Sequence, residues 1–348
     1  MPPMLDKGSE AAPMLTVRNL QVVFPSGERR LGRRPRTFRA VDDVSLDIDE
    51  GDTIGVVGES GSGKSTLGRA ILGLAPIASG EVRLRGQDIR SIRPAERMQF
   101  RRMIQCIFQD PYSSLSPSHT VEFTLREPLI IHGLAAGAAQ VDALLDLVGL
   151  STHMKSRRPS ELSGGQCQRV AIARALALTP KLVICDEPTS ALDVSVQAQI
   201  VALLKDFAAR MRLSYLFISH DLAVVQQVAR RVMVMFGGRI VEDGSTQDIF
   251  AAPSHPYTAA LLSAVPIPDP AQDRSRKRLT LSDDNAEMPA SGCRFRSRCW
   301  LWRQLGEPEI CCNVDPQLPT ETSTHRSACH FSREVGEKFT TTMEAKHR

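Results

Sequence analysis

Hydrophobic and polar residues alternate along two early segments of the chain, at residues 15–24 and 41–48. Alternation with a period of two is typical of strands that bury one face. A basic segment at residues 29–36 separates them and predicts a solvated hairpin tip. Apolar residues recur instead with helical spacing at residues 67–74 and 194–210, which predicts two helices with one apolar face.

Three further segments are dominated by apolar residues of high strand propensity, at residues 53–57, 181–185 and 214–218. Runs of this kind are typical of strands buried on both faces, as in a parallel sheet that helices cover. The pattern at residues 95–178 is largely helical. Strands that alternate with helices predict an α/β fold built on a mostly parallel sheet.

The composition of the sequence changes after about residue 250. From there the chain contains proline-rich segments, a charged stretch at residues 269–287 and a cluster of cysteines. A chain of 348 residues is long enough for two domains. We therefore predict one domain at residues 14–250, with a helical subdomain at about residues 95–178 inside it, and a second at residues 251–348.

The composition argues against nucleic acid as a partner, because the formal net charge is only +4 and aromatic residues make up 5% of the chain. The sequence contains no stretch of about 20 apolar residues that could cross a bilayer. Its first residues lack the apolar core of a signal peptide. We expect a cytoplasmic protein whose association with a membrane comes through a partner.

A glycine-rich segment at residues 58–66, Gly-Glu-Ser-Gly-Ser-Gly-Lys-Ser-Thr, lies between a predicted strand and a predicted helix. A phosphate-binding loop of the GxxxxGK[ST] type requires that context. Its glycines let backbone N–H groups turn toward phosphate oxygens beside a helix N-terminus. We expect Lys64 to pair with the β- and γ-phosphates of a nucleotide, and the Ser65 hydroxyl to bind Mg²⁺.

Acidic residues end the apolar run at residues 181–185, where Asp186 is followed by Glu187. The carboxyl edge of a parallel sheet is where ligands bind. We expect Asp186 to hold the Mg²⁺ shell and Glu187 to polarise an attacking water, with an acidic helix N-cap as the alternative interpretation. Gln109 and His220 also follow strand-like segments and are placed to contact a γ-phosphate, although either one alone is more often an ordinary loop residue.

A second glycine-containing motif, Leu-Ser-Gly-Gly-Gln at residues 162–166, occurs far from the first. It has no obvious use within one subunit, because phosphates held by the first loop leave it nothing to bind. Its composition fits a second phosphate clamp, offered to a nucleotide held by another subunit. The two motifs together predict a chain that supplies complementary halves of two nucleotide sites.

Over about residues 15–250 this set of motifs resembles the ATP-binding-cassette (ABC) ATPases. The resemblance implies a P-loop NTPase cassette: a mostly parallel core, an antiparallel β subdomain and an inserted helical subdomain, followed here by a small, loop-rich C-terminal extension. The resemblance assigns catalysis to Glu187, His220 and Gln109, and Mg²⁺ binding to Ser65, Gln109 and Asp186. Asp193 belongs to the D-loop, and the signature, which acts in trans, consists of Ser163, Gly164, Gly165 and Gln166. The residues assigned to ATP binding are Phe24, Gly58, Glu59, Ser60, Gly61, Ser62, Gly63, Lys64, Ser65 and Thr66.

The implied mechanism pairs two cassettes head to tail, with each ATP between the Walker A loop of one and the signature of the other. Ser163 and Gly165 then contact a γ-phosphate in trans, helped by the dipole of the following helix. ATP binding closes the pair, and hydrolysis removes the shared charge and lets it open. ATP and Mg²⁺ are therefore the expected ligands of the cassette.

Two further segments resemble the oligopeptide and dipeptide importer ATPases, at residues 109–117 and at residues 253–262, which contain His-Pro-Tyr. This resemblance implies an ATP-hydrolysing subunit that powers import of di- and oligopeptides at the cytoplasmic face of the bacterial inner membrane. The implied partners are a second, paralogous ATPase subunit, two transmembrane permeases and an extracytoplasmic solute-binding protein. The alternatives are an importer of nickel or another small solute, and a soluble ABC ATPase outside transport.

Five cysteines crowd the C-terminal region without the CxxC spacing that is usual in structural zinc sites: Cys293, Cys299, Cys311, Cys312 and Cys329. Thiolates on a loop-rich segment suit Zn²⁺ or an iron–sulfur cluster, and unligated thiols are the third alternative. The importer resemblance implies a [4Fe–4S] cluster held by Cys293, Cys299, Cys311 and Cys329. The choice between Cys311 and Cys312 as the third ligand stays open at this point.

Overall fold

The computed structural model describes residues 12–26, 36–265, 278–279, 281, 287–320 and 323–344. Nearly all of the basic segment at residues 29–36 and most of the charged stretch at residues 269–287 lie outside these ranges. Each helix within them is too short or too polar to cross a membrane.

The strands of the described residues form two sheets, one four-stranded and antiparallel and the other seven-stranded and mostly parallel. They are, in chain order, β1 (Leu15–Ser26), β2 (Arg36–Ile48), β3 (Thr53–Val57), β4 (Ser79–Leu84), β5 (Gln87–Asp88), β6 (Ile104–Ile107), β7 (Leu182–Asp186), β8 (Ser214–Ser219), β9 (Arg231–Phe236), β10 (Arg239–Ser245) and β11 (Arg326–Ser327). The two alternating segments of the sequence lie in β1 and β2, as predicted.

The α-helices fall between the strands and in the C-terminal region. In chain order they are α1 (Lys64–Ile71), α2 (Arg97–Met103), α3 (Pro111–Ser114), α4 (Val121–Ile131), α5 (Ala138–Leu147), α6 (Gly164–Leu176), α7 (Val194–Met211), α8 (Leu222–Val228), α9 (Thr246–Ala251), α10 (Pro256–Ala264), α11 (Trp300–Gln304), α12 (Ile310–Asn313) and α13 (Ser332–Glu344).

The antiparallel sheet has the strand order β2–β1–β4–β5. Its two long strands pair with Leu15 opposite Ile48 and with Phe24 opposite Phe38. Leu15, Val17 and Ile48 are fully buried, because alternation along each strand turns every second side chain toward the same core.

The larger sheet has the order β11–β10–β9–β3–β8–β7–β6. Its strands from β9 to β6 run parallel, whereas β10 and β11 are antiparallel additions at one edge. Every residue of β3, β7 and β8 is buried, which confirms the prediction made from the three apolar segments. Since parallel strands all end at the same edge of a sheet, the residues that follow β3, β6, β7 and β8 meet there.

Helices α3, α4 and α5 pack against α6, which in turn contacts strand β6. They bury Leu125, Val141, Leu145 and Val170 in a hydrophobic cluster that also contains residues of the parallel sheet. The helical pattern at residues 95–178 is therefore present in the structure, interrupted by the short strand β6.

The C-terminal region packs against the same core. Tyr257, Phe295, Trp300 and Val335 are buried in the hydrophobic cluster that holds residues of β7 and β8. Strand β11 also extends the parallel sheet by pairing with β10. The change in sequence texture near residue 250 falls within helix α9, and it is not accompanied by a break in the packing of the described residues.

Candidate active site

The phosphate-binding loop connects the end of β3 to the start of α1, as the sequence predicts. Lys64 is 4% exposed, and its ammonium donates to the carbonyl oxygens of Gly58 and Glu59, each at 2.8 Å. Gly63 has a φ of +107°, and a Cβ there would lie 2.1 Å from the carbonyl oxygen of Ala40. The loop shape therefore requires glycine at this position for both backbone conformation and space.

Two of the three side chains expected to bind Mg²⁺, those of Ser65 and Asp186, contact each other beside this loop. The Ser65 hydroxyl donates to the Asp186 carboxylate at 2.7 Å. Burial raises the pKa of Asp186, although the hydrogen bond from Ser65 and nearby cations act in the opposite direction. A buried carboxylate beside a hydroxyl supplies the hard oxygen ligands that Mg²⁺ prefers, so these residues fit the ion.

Glu187 is the centre of a group of three polar side chains at the carboxyl edge of the sheet. Its carboxylate accepts from the Gln109 amide at 3.2 Å and lies 3.0 Å from Nδ1 of His220. These residues come from the segments that follow β6, β7 and β8. The structure thus brings together the three residues predicted to be catalytic.

A cavity of about 710 Å³ contains this group. Gln109, Glu187 and His220 line it opposite the phosphate-binding loop, of which Ser62 is the one residue outside the lining. This volume lies within the range of small-molecule sites. The remaining walls come from Phe38, Ala40 and Leu261.

The aromatic residue at this cavity is Phe38, which is 50% exposed. Phe24, which the sequence predicts to stack on adenine, is not among the lining residues; it is partly buried and packs against the core of the antiparallel sheet. The two residues are paired across β1 and β2, so the family resemblance pointed to this strand pair but not to Phe38. Its exposure becomes visible only once the strands are paired.

The signature residues lie at the start of helix α6. Ser163 caps this helix: its hydroxyl accepts from the Gln166 N–H at 3.3 Å, and its own N–H donates to the Gln166 side chain at 3.0 Å. Gly164 and Gly165 form the first turn, and the exposed Ser163 leaves this helix N-terminus open to solvent. None of these residues lines the phosphate cavity of the same chain.

One contact connects the signature to the segment after Gln109, and Asp193 makes a separate contact at the start of α7. The Tyr112 hydroxyl, from the segment after Gln109, donates to the carbonyl oxygen of Leu162 at 3.2 Å. Asp193 caps helix α7 by accepting from the Val196 N–H at 2.9 Å. Hydrogen bonds from that backbone and from Ser195 lower the pKa of Asp193, so the observed role of this residue is to begin a helix.

The predicted cysteine ligands line one small cavity in the C-terminal region: Cys293, Cys299, Cys311 and Cys329. Cys312 is absent from that lining, and the N–H of Cys293 donates to the carbonyl oxygen of Cys311 at 2.9 Å. Burial raises the pKa of all four thiols. Across the described ranges, no three His, Cys, Asp or Glu side chains are arranged to hold a single metal ion.

Comparison with known proteins agrees with the geometry of the site. A family model described as "ABC transporter" matches residues 41–190, and one described as "Oligopeptide/dipeptide transporter, C-terminal region" matches residues 241–304. Solved structures with this fold include the ATP-binding cassette MJ0796 in a post-hydrolysis dimer with ADP and Pi, which is 30% identical with a TM-score of 0.60 and aligns with 67% of this chain and 99% of that one. The cbiO1 protein of Clostridium perfringens is 28% identical with a TM-score of 0.59, over 69% of this chain and 91% of that one.

Among curated relatives, the chain is 46% identical to the oligopeptide transport ATP-binding protein OppF of Haemophilus influenzae, over 91% of this chain and 96% of that protein. OppF of Salmonella typhimurium is 47% identical over 88% and 92% of the two chains. The glutathione import ATP-binding protein GsiA of Salmonella paratyphi A is 50% identical over 79% of this chain, which spans 44% of the length of that relative. The fold class predicted from the motifs is confirmed, and the chain belongs to the ABC transporter family, among proteins with the oligopeptide/dipeptide transporter C-terminal region.

Proposed function

We propose that this chain is the ATP-hydrolysing subunit of an ABC importer that moves di- and oligopeptides across the bacterial inner membrane. The observation that carries the proposal is the single cavity in which a phosphate-binding loop faces the carboxylate of Glu187, itself bonded to Gln109 and His220. Similarity to the two OppF proteins over nearly their whole length supports the peptide cargo.

In this proposal the phosphate-binding loop holds the β- and γ-phosphates of ATP. Lys64, which now bonds to carbonyl oxygens of its own loop, exchanges these for phosphate oxygens. Ser65, Asp186 and Gln109 hold Mg²⁺, which supplies positive charge to the phosphates. Phe24 or Phe38 contacts the adenine ring, with Phe38 favoured by its exposure at the cavity.

Glu187 is proposed as the residue that accepts a proton from the attacking water. Gln109 and His220 both contact the same oxygen of its carboxylate, Oε2, and in this proposal these two contacts orient the carboxylate in the cavity. The His220 side chain is 55% exposed, and in this proposal it turns from Glu187 toward the γ-phosphate when ATP is bound. Positioning of this kind provides most of the rate in phosphoryl transfer.

The second half of each ATP site is proposed to come from another cassette. Ser163, Gly164, Gly165 and Gln166 lie away from the cavity of their own chain, at an exposed helix N-terminus that suits an anion. In a head-to-tail pair they reach the γ-phosphate of the partner, and Asp193 lies at the adjoining start of α7. The second cassette is proposed to be a paralogue, which makes the ATPase pair a heterodimer.

The proposed membrane partners are two permeases and an extracytoplasmic solute-binding protein, with this subunit at the cytoplasmic face. An exposed apolar surface on α3 and α4 supports a permease contact in the helical subdomain: Tyr112, Phe123, Ile130 and Ile131 are each 44% to 60% exposed. We also propose the domain boundaries predicted from the sequence, with the cassette at residues 14–250 and the C-terminal extension at residues 251–348.

The four cysteines of the extension are proposed to bind a [4Fe–4S] cluster. The support for this proposal is that all four line one small cavity, since [4Fe–4S] clusters are held by four cysteine thiolates. Anaerobic preparation followed by iron, sulfide and zinc analysis tests this proposal. Four iron and four sulfide per chain support it; metal-free protein of full stability contradicts it.

Reconstitution into proteoliposomes with two candidate permeases and a candidate solute-binding protein from the same genome tests the proposed function. We expect ATP hydrolysis stimulated by a binding protein loaded with a peptide, together with uptake of labelled peptide. Uptake of Ni²⁺ without uptake of peptide would assign the alternative cargo. ATP hydrolysis that no permease stimulates would instead point to a soluble ATPase.

A further inference from the structure

Glu59, the second residue of the phosphate-binding loop, makes contacts on three sides. Its carbonyl oxygen accepts from the Lys64 ammonium at 2.8 Å. Its N–H donates to the Tyr257 hydroxyl at 2.7 Å, and its carboxylate accepts two hydrogen bonds from Arg298, at 2.7 and 3.0 Å. The last two partners lie 198 and 239 residues away in the sequence, in the C-terminal region.

Arg298 is nearly buried, which is unusual for a charged side chain. Only 8% of its side chain is exposed, and its guanidinium lies 5.9 Å from the centre of the Phe236 ring at the end of β9. A guanidinium that makes two parallel bonds to one carboxylate has a fixed orientation, and partial burial protects the pair from screening by salt. Arg298 therefore fixes the direction of the Glu59 side chain.

Tyr257 fixes the backbone of the same residue. It is fully buried and packs with its ring centre 4.9 Å from that of Phe236 and 5.5 Å from that of Phe295. Aromatic neighbours on two sides hold the ring, so its hydroxyl has little freedom to move. The Glu59 N–H is thereby occupied by the C-terminal region and is directed away from the phosphate-binding cavity.

These contacts bear on how the loop binds a nucleotide. A phosphate-binding loop works by presenting backbone N–H groups that converge on phosphate oxygens, and any freedom it has before binding must be lost on binding. The cavity wall that contains Glu59 is held by two side chains from outside the cassette motifs. A loop held in this way loses less entropy when phosphate enters.

We propose that Arg298 and Tyr257 are positioning residues of the ATP site, through which the C-terminal region holds the Walker A loop in its binding conformation by way of Glu59. The inference rests on the proposed ATP-binding function. It assigns to the C-terminal region a role in the affinity for nucleoside di- and triphosphates. Neither residue touches the nucleotide.

Calorimetric titration with Mg·ADP measures this contribution, because ADP occupies the Walker A loop without requiring the γ-phosphate contact of a second cassette. The variants are Arg298→Met, Glu59→Gln and the double variant, with Arg303→Met as a matched control on the exposed side of the same segment. We expect each single variant to raise the Kd for ADP about fivefold, as the loss of one partly buried ion pair implies. The double variant is expected to raise it no further, and the control to leave it unchanged.

A second set of measurements separates positioning from general loss of structure. Arg298→Lys keeps the charge but loses the paired geometry, so we expect it to recover only part of the affinity. In ATPase assays the single variants are expected to raise KM while kcat stays within about twofold. The Tm of each variant is measured alongside.

An unchanged Kd in Glu59→Gln overturns the inference, and this variant carries the test even if Arg298→Met fails to fold, since the Glu59 side chain is 36% exposed. Multiplicative effects in the double variant, about 25-fold in Kd, also overturn it, because they mean that the two side chains act independently. Wild-type protein that binds no nucleotide refutes the proposed function instead.

Discussion

The direction of the Glu187 side chain depends on an uncommon backbone conformation. This residue has a φ of +48°, in the left-handed region that residues other than glycine seldom adopt. Its N–H nevertheless bonds to the carbonyl oxygen of Ile218 at 2.9 Å, so the strained conformation is stabilised by the neighbouring strand. This turn directs the carboxylate toward Gln109 and His220, and strain of this kind is concentrated at functional sites.

Replacement of Glu187 by glutamine is expected to lower ATP turnover at least about 100-fold, because the amide cannot accept the proton of the attacking water. The similar size of glutamine should preserve ADP binding. A phosphate-release assay and calorimetry measure the two quantities. The control is Glu81→Gln, which changes a residue of the antiparallel sheet that forms an exposed ion pair with Arg83. Turnover above one tenth of wild type in Glu187→Gln would exclude the proposed role.

His255 is expected to make the stability of the protein depend on pH. Burial lowers its pKa from 6.5 to about 3, so the folded protein keeps the ring neutral while the unfolded chain takes up a proton below pH 6.5. The stabilisation is complete above pH 6.5 and is lost as the pH falls toward 3. At pH 5 this group should lower the free energy of unfolding by about 2 kcal/mol relative to pH 7.5.

Urea unfolding of wild type and His255→Asn at both pH values measures this difference, since asparagine retains an acceptor for the Tyr257 N–H. The nearby His325 has the opposite sign: its hydrogen bond with Glu242 raises its pKa, so its contribution is present below pH 6.5 and is lost as the pH rises. Both proteins contain His325, and its effect cancels. Equal pH dependence in the two proteins would contradict the assignment to His255.

At the scale of elements, the junction from β3 through the loop to α1 tolerates little change. Gly63→Ala is expected to lower the free energy of unfolding by more than about 2 kcal/mol and to abolish ADP binding, because the new Cβ meets a backbone oxygen at 2.1 Å. Gly61 has a φ of +80° but no atom within 4 Å of a Cβ, so Gly61→Ala should cost only about 1 kcal/mol. Equal losses for the two variants would show that backbone conformation alone, and not the close approach, constrains the loop.

Other elements were predictable because their signals are local. The burial of β3, β7 and β8, for example, follows from their apolar runs in the sequence. The two-residue strand β11 had no such signal, since it exists only because β10 offers a free edge. Its position follows from packing of the C-terminal region.

For the whole molecule, the separation of the signature from the phosphate cavity predicts pairing of cassettes. Size-exclusion chromatography with light scattering should show that ATP and Mg²⁺ convert the Glu187→Gln subunit, mixed with the proposed paralogous subunit, from monomers to a dimer. Adding Ser163→Arg should abolish the dimer, because a long cation replaces the exposed helix cap, while ADP binding to the Walker A loop stays unchanged. Dimers that persist in that variant would place the interface elsewhere.

The sequence by itself determined the α/β fold, the phosphate-binding loop and the acidic pair at the end of β7, because each depends on residues close together in the chain. Only the tertiary structure decided that Gln109 and His220 meet at Glu187, across 78 and 33 residues, and that Phe38 is the exposed aromatic residue at the cavity. It alone showed the C-terminal Arg298 on the Walker A loop, across 239 residues. The physical reason is that such contacts depend on strand order and on the packing of distant segments, which leave no periodic pattern in the sequence.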